Sequence, residues 1–157
     1  RPGRHLYLFS TGTGLAPFMS VVRDPETYER FEKVVLIHGV RLVSELAYSD
    51  YLTKELPQHE FLGDMVSSQL IYYPTVTREA FTHTGRLTTA IESGKLFDDI
   101  GLPSLDAALD RAMICGSPLP LASHTTNSLS RCMRASTITT ATSSATAKIV
   151  AIRPRAA

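Results

Sequence analysis

Leu6-Tyr-Leu-Phe-Ser-Thr-Gly-Thr-Gly-Leu-Ala-Pro-Phe18 is the stretch on which the fold turns. Its apolar first half reads as a strand, its two glycines one residue apart as a tight loop, and Leu15 onward as the opening of a helix. Gly12 and Gly14 can adopt backbone angles closed to other residues, so such a loop can bring main-chain N–H groups close to an anion. The helix that follows adds the positive end of its dipole. The third glycine of the dinucleotide fingerprint is missing, and Gly-Thr-Gly also occurs in ordinary turns. Taken alone, the stretch fits a plain turn as well as a phosphate loop.

Strands and helices alternate outward from this point. The spacing predicts a first strand over 5–10, a helix over 15–22, and a short second helix capped by Asp24 and started by Pro25. Lys33-Val-Val-Leu-Ile-His38 is an apolar run bounded by polar residues, as expected of a strand buried on both faces. A helical pattern runs from Ser44 and Glu45 to Leu56, where Pro57 stops it. Leu70-Ile-Tyr-Tyr-Pro-Thr-Val76 predicts a third strand, 87–96 an amphipathic helix, 106–110 a short helix, and Ala112-Met-Ile-Cys115 a fourth strand. Strands separated by helices imply a three-layer, Rossmann-like α/β fold, a parallel sheet flanked by helices. Ligands of such sheets sit beyond the carboxyl ends of the strands. Those four ends carry Ser10-Thr-Gly-Thr-Gly14, Gly39-Val-Arg41, Thr77-Arg78 and Gly116-Ser117. Two glycine loops and two arginines thus fall on one rim.

Composition narrows the function classes. A chain of 157 residues, 43% hydrophobic and 20% charged, is long enough for one domain with a core. It has no apolar run of bilayer length and no secretory h-region near Arg1-Pro-Gly-Arg4, so a cytoplasmic protein without membrane role is expected. Two cysteines make no disulfide framework, and the histidines (5, 38, 59, 83 and 124) lack metal-ligand spacing, so no metal site is expected. The net charge of +1 conceals an asymmetry, because every acidic residue lies at or before Asp110. Residues 1–118 carry 11 basic against 15 acidic groups, and the remainder carries five basic groups alone. Those five are scattered among Ser, Thr and Ala with no aromatic residue for base stacking, which argues against nucleic acid.

Arginine suits a phosphate monoester, since its planar fork donates two parallel hydrogen bonds and its charge is permanent. Arg41 follows the second strand, where a Rossmann-like site reads the adenosine ribose. No acidic residue stands there to favour a free 2′-hydroxyl, so NADP is expected over NAD. Arg78 lies at the next strand end, and Arg86 heads a helix eight residues later. Cys115 ends its strand beside Gly116, so its thiol is expected to face the same crevice as the first loop; it has no adjacent cation in sequence to depress its pKa, so no thiolate nucleophile is expected. His38 is expected to be packed or hydrogen-bonded at its strand end, and no serine sits in a nucleophile elbow.

Several blocks together resemble a known family: Ser10-Thr-Gly-Thr-Gly-Leu-Ala-Pro-Phe18, His38-Gly-Val-Arg41 followed by Glu45-Leu-Ala-Tyr48, Tyr73-Pro-Thr-Val-Thr-Arg-Glu79, Gly85-Arg-Leu87 and Met113-Ile-Cys-Gly-Ser-Pro118. In order and spacing, from about residue 2 to 118, they resemble the NADP-binding half of bacterial ferredoxin (flavodoxin)–NADP reductases. The resemblance implies that Thr11, Gly12, Thr13 and Gly14 face the pyrophosphate and nicotinamide, and that Arg41, Thr77, Arg78 and Arg86 surround the 2′-phosphate. It places Cys115, Gly116 and Ser117 beside the nicotinamide, with Cys115 positioning the ring. It also implies FAD in the full-length parent, held mostly by a separate amino-terminal barrel, and ferredoxin or flavodoxin as electron partner. Nothing in these residues corresponds to the barrel, so the chain is expected to be a fragment that does not turn over alone.

The carboxyl end departs from the family. Residues 119–157 lack its acidic helix, its Gly-Asp-Tyr strand and its terminal aromatic, and 13 of these 39 residues are Ser or Thr. The switch predicts a reading-frame shift near codon 118 and an atypical, poorly ordered tail, with a weak helix over 119–135 and an uncovered sheet edge. Two other readings remain open: an NADP module of another flavin oxidoreductase, such as an oxygenase reductase, and a non-catalytic nucleotide-binding protein. No cysteine cluster is present for a fused iron–sulfur centre.

Overall fold

The computed structural model describes residues 4–106 and 108–116, together with the backbone of 137–143 and 147–153. Four parallel strands form the main sheet: β1 (His5–Thr11), β2 (Lys33–Val40), β3 (Leu70–Val76) and β4 (Arg111–Gly116), in the spatial order β3-β2-β1-β4. Their registers align His5 with Lys33, Leu6 with Arg111 and Val34 with Leu70. All four carboxyl ends therefore lie on one rim. The chain steps outward from β1 to β3 and then crosses to the other side of β1 for β4. That reversal makes the end of β1 the topological switch point.

Period-two alternation sorts the side chains between two cores. Odd positions of β1, with Val35, Ile37, Tyr73, Ala112 and Ile114, pack under α4 (Leu87–Glu92) and α5 (Lys95–Ile100). Leu6 and Leu8, with Val34, Leu36 and Cys115, pack under α1 (Ala16–Val22), α2 (Pro25–Arg30) and α3 (Gly63–Gln69). Each fully buried Leu, Ile or Phe of these clusters contributes about 1.5–3 kcal/mol of transfer free energy. Strands covered on both faces explain the unbroken apolar runs in the sequence.

Four local differences from the sequence pattern have identifiable causes. The helix expected from Ser44 to Leu56 is interrupted after a short turn at Val43–Glu45 and resumes as a continuous helical run over 49–58, which includes Tyr51–Glu55 and Leu56–Gln58. Its start is diverted because the Glu45 carboxylate folds back onto the N–H groups of Arg41 and Leu42. The helix expected over 87–96 is split into α4 and α5 by Gly94, which takes a left-handed φ of 79°. Ala108 and Leu109 lie in a turn, not in the helix expected over 106–110, as the Asp106 and Asp110 carboxylates accept the N–H groups of Ala108 and Asp106. Beyond residue 118, β5 (Thr137–Ser143) and β6 (Ala147–Arg153) pair antiparallel where no strand is expected, and β6 lies against β4. Their β-branched Thr, Ile and Val content favours extended backbone even without clean alternation. The helix expected over 119–135 lies outside the described residues. Among the described residues no helix is long and apolar enough to cross a membrane.

Candidate functional site

Along the rim, the strand ends present Thr77 and Arg78 from β3, Arg41 from β2, the Gly12–Leu15 turn from β1 and Gly116 from β4. The glycine loop thus stands at the switch point, and the arginines lie on one side of it. Of the residues expected to bind, only Ser117 lies outside the described residues.

The loop is built by two glycines with different jobs. Gly12 takes φ 53°, and the space where its β-carbon would project is open for 4 Å. Gly14 is buried, and a β-carbon there would overlap the main chain of Cys115 and Gly116. A β-carbon on Gly116 would in turn overlap the Thr11 hydroxyl. The first loop and the end of β4 therefore pack backbone to backbone, leaving Gly12 and Thr13 exposed at the crevice. Cys115 is 2% exposed within the cluster that holds Leu15 and Phe18, and burial pushes its thiol above the ordinary range. A neutral, packed thiol matches the expectation that no thiolate forms. Contrary to the expected crevice-facing position, the thiol faces the core beneath α1, because strand alternation turns it to that side, and the main chain of Cys115 is what meets the loop.

His38 links the loop to the sheet. Its Nε2 lies 3.1 Å from the Gly12 carbonyl oxygen and its Nδ1 3.3 Å from the Tyr72 hydroxyl. Burial holds its pKa below the ordinary value of 6.5, partly offset by the bond to Gly12 and the Glu45 charge. Burial likewise raises the Tyr72 phenol to about 12. The expectation of a hydrogen-bonded His38 holds, but its partner across 26 residues was not legible.

The arginine end is tied together by main chain. Thr77 and Arg78 donate their N–H groups to the carbonyls of Val40 and Arg41 at 3.1 and 2.9 Å, extending the β2–β3 pairing past the strands. Gly85, at φ 127°, donates to the Val76 carbonyl at 2.9 Å, and Arg86 follows it at the head of α4. The backbones of Arg41, Arg78 and Arg86 thus converge at the end of β3, and all three side chains are exposed. The Arg41 guanidinium is 3.3 Å from the Glu45 carboxylate, whose pKa is lowered chiefly by the Arg41 N–H. Glu79 accepts the Val43 N–H at 3.0 Å, crossing from the loop after β3 to the loop after β2. His83 stacks on Tyr73 at 4.0 Å between ring centroids, and the Tyr73 hydroxyl donates to Asp99 at 2.7 Å. Asp99 is also paired with Lys95. These ties hold the loop that carries Arg78. Sequence reasoning passed over them, although Glu45 stands four residues after Arg41, the spacing of a helical ion pair.

The residues present fit an anionic dinucleotide. Exposed main chain at the switch point, a cradle in which Gly14 has no room for a side chain, and three permanent cations at one end form a polar, asymmetric donor set. Thr75 Oγ1 and Ser10 Oγ, buried near the same rim, have no hydrogen-bond partner among the described residues.

Comparison with known proteins agrees with this geometry. The chain is 68% identical over 117 residues to a ferredoxin–NADP reductase of Pseudomonas aeruginosa, covering 74% of this chain and 45% of that protein. It is 60% identical over 122 residues to ferredoxin–NADP reductase A of Sorangium cellulosum, covering 78% of this chain and 44% of that protein. The chain therefore spans less than half the length of these relatives. A ferredoxin NADP+ reductase from Neisseria gonorrhoeae, solved with bound FAD and NADP, superposes with a TM-score of 0.69 at 29% identity, covering 81% of this chain and 48% of that one. The family described as oxidoreductase NAD-binding domain matches residues 8–127, and the chain belongs to it.

Proposed function

We propose that this chain is the NADP(H)-binding part of a ferredoxin or flavodoxin reductase, whose whole protein passes electrons between NADPH and the carrier through FAD. The observation that carries this reading is the convergence of Arg41, Arg78 and Arg86 at the end of β3, next to a glycine loop at the switch point. The arginines and Thr77 hold the 2′-phosphate. Thr11, Gly12, Thr13 and Gly14 follow the pyrophosphate toward the nicotinamide, and Cys115, Gly116 and Ser117 flank the ring. The relatives named for NADP, and the neighbour solved with it, support that assignment.

The flavin, when bound, accepts hydride from the nicotinamide. The residues described here contribute binding and orientation, and none is assigned to flavin. These 157 residues alone are therefore proposed not to turn over. Residues 1–118 form the nucleotide domain in this reading. Residues 119–157, with their different composition, are a tail read in a shifted frame, which sequencing of the parent gene tests. Cytoplasmic location and a carrier partner belong to the same proposal.

Titration of the chain with NADP and NAD tests the reading. Tighter binding of NADP is expected, and equal response to both nucleotides overturns the arginine assignment. The purified chain is expected to show no flavin absorbance. A stoichiometric flavin spectrum would sink the claim that it does not act alone.

A further inference from the structure

Three elements meet at His38, and their donors and acceptors allow one consistent direction. Gly12 offers a carbonyl, which only accepts, so the His38 Nε2 at 3.1 Å carries the proton. The neutral ring then leaves a lone pair on Nδ1, which accepts from the Tyr72 hydroxyl at 3.3 Å. The chain of donors runs Tyr72, His38, Gly12, from β3 through β2 to the glycine turn.

The effect on the turn follows from peptide geometry. Every described peptide bond is trans, so the carbonyl of Gly12 and the N–H of Thr13 point in opposite directions across one plane. A carbonyl held inward by His38 places the Thr13 N–H outward, on the exposed side of the loop. Gly12, at φ 53°, is free of the β-carbon that would restrict rotation of this peptide. The parallel pairing of β1 with β2 ends at Thr11 and Gly39, one residue short of it.

We propose that His38 is a positioning residue for the dinucleotide: it sets the orientation of the Gly12–Thr13 peptide, so that the Thr13 N–H is presented to the pyrophosphate. This rests on the reading of the loop as the pyrophosphate site. Neither sequence spacing nor exposure marks His38 for that role, since it is buried.

The test separates the two ends of the nucleotide. NADP spans the loop and the arginines, whereas adenosine 2′-monophosphate, which lacks the 5′-phosphate, engages the arginine end alone. His38→Phe keeps an aromatic ring but removes the donor, and is expected to weaken NADP about tenfold with binding of the monophosphate unchanged. His38→Gln restores an N–H donor and is expected to recover most of the loss. Tyr72→Phe removes the hydroxyl that fixes the tautomer, and a smaller loss of the same pattern is expected even if His38→Phe fails to fold. Wild-type NADP affinity in His38→Phe or in Tyr72→Phe overturns the proposal, as does equal weakening of both ligands. A wild-type chain that binds the monophosphate but not NADP also overturns it. A wild-type chain that binds neither overturns the nucleotide reading itself.

Discussion

Gly14 and Cys115 are locked backbone to backbone: a β-carbon on Gly14 would overlap the carbonyl group of Cys115. Neither atom set can give way easily, because Gly14 starts the turn into α1 and Cys115 is hydrogen-bonded into β4 beside Ser10. Gly14→Ala is therefore expected to cost about 1–3 kcal/mol, the usual penalty of overpacking. Urea unfolding with an unchanged slope would measure it. Gly12→Ala meets open space and is opposed only by its left-handed backbone, at a cost of roughly 1–2 kcal/mol. NADP affinity is expected to fall in both. A Gly14→Ala chain as stable as the parent would show that the loop and β4 are not in contact.

This contact also shows what the sequence could and could not disclose. Strand positions, sheet type and rim were legible because buried parallel strands are written as apolar runs and turns are marked by glycine. Arg41 and Arg78 could be placed on one rim from their strand ends, whereas Arg86, at the head of the next helix, joined them only through the family resemblance. Ties between distant side chains carry no such pattern: His38 to Gly12 spans 26 residues and Tyr73 to Asp99 also spans 26. The broken helix after Arg41 was hidden because Glu45 reads as a good helix residue, yet its carboxylate caps the preceding turn. In the tail, composition without alternation hid a strand pair.

Arginine at the end of β3 should decide between nucleotides. Arg78→Ala removes a charged hydrogen-bonding fork, worth about 1.5–3 kcal/mol, or roughly ten- to hundredfold in affinity. The loss is expected for NADP and not for NAD, so the ratio of the two dissociation constants is the quantity to measure. Arg41 already has an anionic partner in Glu45, but the pair is exposed, with 66% of the Arg41 side chain accessible. Such pairs are worth little, so exchanging the carboxylate for a phosphate is nearly free. An Arg78→Ala chain with an unchanged ratio would remove that residue from the site.

Tyr73 separates anchoring from charge. Its ring supports His83 and its hydroxyl donates to Asp99; burial first, and then that bond, pushes the phenol pKa upward. Tyr73→Phe keeps the stacking and loses one hydrogen bond, so a stability loss of about 1 kcal/mol with unchanged nucleotide preference is expected. Tyr73→Ala removes the stack as well, and the loop bearing Arg78 loses its support from β3. The NADP to NAD ratio is expected to drop only in the second variant. If both variants keep the parent ratio, the stack does not hold the arginine loop.

Acid stability follows from the buried histidines. His38 has its pKa lowered by burial, as does His5, where the nearby Asp110 opposes the shift. In the unfolded chain both return to the ordinary value of 6.5. Below that value the unfolded state takes up protons that the folded state refuses, so unfolding is favoured progressively until the lowered folded pKa is reached. Stability is therefore expected to be level at neutral pH and to fall as pH drops through and below 6.5. Glu45 and Asp99, whose pKa values are also lowered, lose their contribution in a separate window, below their ordinary values of 4.5 and 3.8. Comparing urea midpoints at roughly pH 7.5 and pH 5.5 isolates the histidine window. His38→Gln cannot titrate, so it should lose less stability than the parent between those two pH values, even if it starts from a lower midpoint. An identical loss in the two chains would mean that His38 is protonated equally folded and unfolded, and that the neutral Nε2–H form does not hold the Gly12 carbonyl.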